Sequence, residues 1–112
     1  MDQIYTVTVK QDHGEEQFYG HYLEKYTKTT QTKAAFRLVD IKGAPAPVRV
    51  DDHENRKLLI RFFDAIAINQ HNEARLFNTL NHEVDEKNCG TFVRVEPPLS
   101  GLSWPAEGGE LD

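Results

Sequence analysis

Five histidines, one cysteine and an acidic cluster after residue 81 are the side chains whose types could support chemistry. Zinc sites draw ligands from short repeated spacings, such as two His four apart or paired Cys-x-x-Cys. His13, His21, His53, His71 and His82 follow neither pattern. "NHEVDE" gathers His82, Glu83, Asp85 and Glu86, with Cys89 just beyond. Without ligand spacing it reads as a solvated helix end with counter-charges, and no metal or cofactor is expected.

Nucleophilic chemistry has equally little to build on. Ser100 and Ser103 lie outside any G-x-S-x-G elbow. Cys89 precedes Gly90 at the end of a predicted helix, where the negative dipole end raises a thiol's pKa and blunts it. The seven glycines form neither G-x-G-x-x-G nor a Walker loop. Asp51, Asp52, His53 and Glu54 could do acid–base work. Their place at a predicted helix start accounts for them through capping and the dipole alone. An enzyme with an unrecognised His/Asp/Glu site is therefore the third of three readings.

The second reading is a single-stranded nucleic-acid-binding domain. Between His21 and Gly43, five Lys or Arg face two acids. Tyr19, Tyr22 and Tyr26 interleave with Lys25, Lys28 and Lys33. Aromatics on a sheet stack unpaired bases while cations neutralise phosphates, as on an OB-like face. Against this, edge strands carry lysines as a defence against aggregation, and the chain as a whole is acidic.

The leading reading starts from the end of the chain. "EPPLSGLSWPAEGGELD" holds the single tryptophan, Trp104, in a Pro/Gly-rich stretch without Lys or Arg. Leu102 and Trp104 either fold back onto the domain or wait for a partner, since Trp is enriched at binding hot spots. Glu107 and Glu110 would steer a basic partner. The expectation is a small acidic binding protein that acts by stoichiometric protein–protein interaction or self-association. Inhibitors, immunity-type proteins and adaptors of the kind phages and mobile elements encode fit that description.

Length and composition frame these readings. A chain of 112 residues buries one core, here residues 1–96 as a single domain with 97–112 as an acidic tail. Net charge is -5. It is uneven: residues 1–50 hold seven basic against six acidic side chains, and residues 51–112 six against twelve. One cysteine leaves no internal disulfide framework. "MDQIYTVTVK" lacks the basic and apolar regions of a signal peptide, and no apolar run approaches membrane-span length. A soluble, cytoplasmic protein without membrane contact is expected.

The elements that must position these residues follow from periodicity. "IYTVTVK" alternates as a half-buried strand. "QFYGHYLEKYTK" reads as a second strand, because Gly20 and four aromatics disfavour a helix. "TKAAFRLVDIKG" gives a third, and "VRV" a short fourth. From Asp51 the period changes: Leu58, Leu59, Phe62, Phe63 and Ile66 share a helical face, predicting a helix over 52–68. Asn72 caps a second helix carrying Leu76, Phe77, Leu80 and Val84, which Gly90 ends. "TFVRVE" returns to a strand. The resulting class is α+β, an antiparallel sheet of four to five strands with a helical hairpin packed on one face. "KLLIRFF" also has high β propensity, and a strand there would make the fold mainly β.

Overall fold

Asn55 and Arg56 both adopt positive φ, 55° and 67°. A two-residue I′ turn needs that conformation at both central positions to fold two strands back on each other. The turn falls inside the first predicted helix. The computed structural model describes residues 3–24, 32–81 and 86–99, and among them the chain forms strands and no helix. The strands are β1 (Tyr5–Gln11), β2 (Gly14–Tyr22), β3 (Thr32–Val39), β4 (Val48–Glu54), β5 (Lys57–Phe63), β6 (Ala65–Asn69), β7 (Glu73–Phe77) and β8 (Glu86–Glu96).

The expected α+β class with its helical hairpin is therefore corrected to an antiparallel all-β fold. Strands β5 and β6 occupy the first predicted helix, and β7 with the start of β8 the second. Asp51 and Asp52 cap nothing. They lie in β4, where Asp51 accepts from Arg49 at 2.8 Å and Asp52 from Arg61 at 2.8 Å. Asn72 takes φ 63° in the turn before β7, where its carbonyl accepts the Phe92 N–H at 2.7 Å.

Six strands close a barrel in the order β1-β2-β3-β6-β7-β8, with β8 returning to β1, while β4 and β5 form a separate two-stranded sheet. The barrel is a meander interrupted once, by the hairpin inserted between β3 and β6. Closure removes the free edges that an open sheet of this size would expose. Alternation fills the lumen: Val7, Val9, Phe18, Phe36, Leu38, Ile66, Ile68 and Leu76 are buried in one cluster. At its edge the rings of Tyr5, Tyr22 and Phe36 meet at 5.7–6.4 Å. On the outer surface Ala35 and Ala65 form a flat platform, buried with Phe77 and flanked by Leu23. No helix of the described residues is long and apolar enough to cross a membrane.

The hairpin and barrel meet at Asp64. Its carbonyl accepts the Leu38 N–H at 2.9 Å, and its own N–H donates to Phe77 at 3.2 Å. Its carboxylate accepts both the N–H and the hydroxyl of Thr79 at 2.9 Å. Arg37 adds an ion pair at 3.4 Å.

Barrel closure requires a glycine where β8 crosses β1. Gly90 has φ 136°, and a Cβ there would stand 2.5 Å from the Lys10 carbonyl and 2.6 Å from Val9. Gly14 has a comparable φ, 129°, with open space around it. Gly90→Ala is therefore expected to cost about 3 kcal/mol or more, backbone strain and overpacking together, and Gly14→Ala only about 1 kcal/mol from strain. Urea unfolding of the two variants tests this ranking.

Candidate functional site at the barrel mouth

At one end of the barrel the strands splay apart. The β1–β8 ladder runs no further than Lys10 opposite Thr91, and β3 stops at Val39 opposite Tyr19 of β2. Beyond these points the β1–β2 tip, the first half of β8 and strand β4 surround an open cleft of about 880 Å³. Phe18, Val48, Val50, Leu76 and Cys89 give it an apolar floor; Lys10, Asp12, His13, Glu16, Arg49 and Lys87 stand around it. The mouth of a barrel, with an apolar floor and a few polar groups, is where small barrels ordinarily bind.

Alternation sorts these charges. Glu16 shares the inward face of β2 with Phe18, and Lys87 lies opposite Leu76 on β8. Lys10 takes the opposite face of β1 from Val9. Lys87 reaches Asp52 at 3.6 Å, and Asp52 also holds Arg61. The hydrogen bond from Arg61 keeps the Asp52 carboxyl below the usual carboxylate range, with Lys87 assisting against partial desolvation. Gln11 finishes the splayed ladder by donating its side-chain amide to the Cys89 carbonyl at 3.1 Å.

The outer face of the β4–β5 hairpin is of the opposite character. Leu58, Ile60 and Phe62 alternate along β5 at 53%, 46% and 51% exposure. Across the ladder from them stand His53, Asp51 and Arg49. The Arg49–Asp51 ion pair raises the pKa of the guanidinium, chiefly through its side-chain hydrogen bond.

No protein-family model matches the chain, and comparison with curated proteins and with solved structures finds no match. The functional reading rests on the geometry.

The residues singled out from sequence are dispersed. Leu102, Trp104, Glu107 and Glu110 lie outside the described residues, as do Lys25, Tyr26 and Lys28. Tyr22 turns inward against Tyr5 and Phe36. Tyr19 is half-buried on the opposite face of β2. Lys33 donates its amine to Asn72 Oδ1 at 2.7 Å, and burial lowers its pKa. The described members of the aromatic and basic set therefore share no single face. His82, Glu83 and Asp85 also fall outside the described residues, and Glu86 accepts from Arg75 at 2.9 Å. Among the described residues no group of three His, Cys, Asp or Glu could hold a metal ion.

Sequence reasoning missed the cleft and the hairpin face because both are made by register. Asn55 at a hairpin turn and the alternation of Leu58, Ile60 and Phe62 were the available signals. Cys89 lies within β8 and not at the end of a helix. Burial pushes its pKa up to about 12, with the Glu16 carboxylate adding to the shift and Arg75 opposing it. A helix dipole has no part in it.

A thiol with that pKa is about one ten-thousandth ionised at pH 8. Alkylation of Cys89 by iodoacetamide, followed by intact mass, should run on the order of a thousandfold slower than for a free thiol. The rate should rise about tenfold per pH unit until near pH 11. Glu16→Gln should speed the reaction, because it removes a charge that disfavours the thiolate. A rate that levels off near pH 9 would contradict the assignment.

Proposed function

We propose that this protein is a binding module that engages another protein stoichiometrically through the outer face of the β4–β5 hairpin. The observation that carries the reading is the exposure of Leu58, Ile60 and Phe62 on one face of a two-stranded sheet. The three side chains share one face of β5, and exposed apolar groups gathered on one face are candidates for an interaction site. The Arg49–Asp51 pair and His53 beside them supply the polar border that interfaces place around an apolar centre. Inhibitors, immunity-type proteins and adaptors work in this way, and a cytoplasmic setting suits a chain with one cysteine.

Single-stranded nucleic acid is the weaker reading. Base stacking needs exposed rings, and Tyr22 is packed against two others. An enzymatic reading gains nothing from Cys89, whose thiol stays protonated at neutral pH.

The test uses the full chain as bait in a nuclease-treated extract, beside Ile60→Lys and Phe62→Glu. These changes add opposite charges to exposed positions and should leave the thermal midpoint within about 2 °C. A stoichiometric protein retained by the wild type and lost by both variants is the expected result. Trp104→Ala then reports what the tail contributes to the same complex. Capture that both substitutions leave intact, or material that disappears with nuclease, would remove the hairpin from the interface.

A further inference from the structure

Strand β5 belongs to one ladder: it pairs with β4 in the two-stranded sheet, and its other edge meets no strand among the described residues. The parity of that ladder says which groups stand on the edge. A two-residue loop at Asn55 and Arg56 makes Glu54 and Lys57 a hydrogen-bonded pair, so Asp52 with Leu59 and Val50 with Arg61 are hydrogen-bonded pairs too. The N–H and C=O groups of Leu58, Ile60 and Phe62 therefore point away from β4. At the Phe62 carbonyl the Asn78 side-chain amide stands at 3.5 Å, the limit of a hydrogen bond. Natural edges are blunted by proline, by bulges or by charges on the exposed face. Between Lys57 and Phe63 the sequence has no proline, the ladder has no shift of register, and the exposed face carries Leu58, Ile60 and Phe62.

We infer that the partner of this face is a second copy of the chain, joined β5 to β5 as an antiparallel pair about a twofold axis at Ile60. The inference rests on the hairpin reading above and names its occupant. A strand that pairs with its own copy must be complementary to itself. With Ile60 opposite the partner's Ile60, Leu58 meets the partner's Phe62, and the outward-pointing backbone groups of both strands face one another. The two hairpins become one four-stranded sheet, with Leu58, Ile60 and Phe62 of both copies on one face. Charge selects that register. On the other face it sets Arg61 beside the partner's Leu59 and Lys57 beside the partner's Phe63. Sliding the strands by two residues one way would oppose Lys57 to the partner's Arg61, and the other way Arg61 to the partner's Arg61. Like charges directly opposite destabilise a sheet. At each end of the pair the same register brings Arg56 abreast of the partner's Asp64. Arg56 is exposed and has no ion pair among the described residues. The Asp64 carboxylate is 31% exposed and holds one ion pair, to Arg37 at 3.4 Å. Any strand could satisfy the backbone edge, but the palindromic apolar run and the charges at its ends are matched by β5 itself.

Sedimentation velocity of the full chain between about 5 and 200 µM should show a monomer–dimer equilibrium. Ile60→Lys and Phe62→Glu should each weaken dimerisation about thirtyfold or more. Arg56→Glu, which turns attraction into repulsion at both ends, should weaken it about fivefold at low salt and less in about 0.5 M salt. Disulfide trapping reads the register. Residues directly opposite in a hydrogen-bonded pair lie about 5.5 Å apart at Cα, within disulfide reach. In a Cys89→Ser background, Ile60→Cys should therefore link to itself under mild oxidation, whereas Leu58→Cys should link only when mixed with Phe62→Cys. Circular dichroism and the thermal midpoint show that each variant is folded. A chain that stays monomeric at the highest concentration overturns the inference, as does a dimer that survives Ile60→Lys and Phe62→Glu in folded protein. Linkage of Leu58→Cys alone at the rate of Ile60→Cys overturns it as well. A monomer that still captures a different protein through Ile60 and Phe62 keeps the hairpin reading and loses this one. Capture and dimerisation both indifferent to the two substitutions lose both.

Discussion

At Asp64 the chain passes from the hairpin into the barrel wall, and the polar contacts gathered there allow one apolar run to serve two sheets. A strand that leaves one sheet for another must break its ladder, which strands backbone groups in a partly buried place. Leu38 and Phe77 satisfy the two backbone groups of Asp64, while its carboxylate satisfies the Thr79 amide and hydroxyl in the next turn. Asn78 extends the junction by donating its side-chain amide toward the Phe62 carbonyl at 3.5 Å. Without this knot β5 and β6 would be one continuous strand, and the barrel would have neither an inserted hairpin nor a walled mouth.

The same residue explains why the second half of the fold was hard to read. Strands were legible where alternation is clean: β1, β2, β3 and the "TFVRVE" part of β8 lie close to their expected positions, and "VRV" opens β4. Through "KLLIRFFDAIAI" the phase of alternation slips at Asp64. Leu59 and Phe63 face the barrel side before the slip, and Ile66 and Ile68 after it. A slip of one residue in a period of two leaves neighbours three and four apart, the spacing of a helical face. The I′ turn at Asn55 would have broken the ambiguity, but its second position holds Arg56 in place of the usual glycine. In β7 both Leu76 and Phe77 are buried, because the outer platform of Ala35 and Ala65 needs covering as much as the lumen needs filling. Adjacent buried residues imitate a helix there as well.

The candidate site was less legible than the fold, for a related reason. Phe18, Val48, Leu76, Lys87 and Cys89 come from four strands. No short window of sequence holds them together, and only the barrel register makes them neighbours. The aromatic and basic stretch in β2 and β3 could be read from a window, but its alternation places Phe18 and Tyr22 on the inward face and leaves Tyr19 on the other. The direction of the Cys89 shift could be anticipated because burial and an unfavourable dipole act on a thiol with the same sign. Burial was the cause at work.

Stability alone does not explain the composition of the hairpin. An isolated two-stranded sheet is marginal in water, and this one gains its support from the inner face, where Val48, Val50 and Phe63 pack on the barrel and Arg61 lies over the Phe63 ring at 5.2 Å. Polar residues at 58, 60 and 62 would keep those contacts and make the outer surface more soluble. Apolar side chains there leave about half of each in water, a cost that nothing in the described fold offsets. A partner that covers them would turn that cost into affinity.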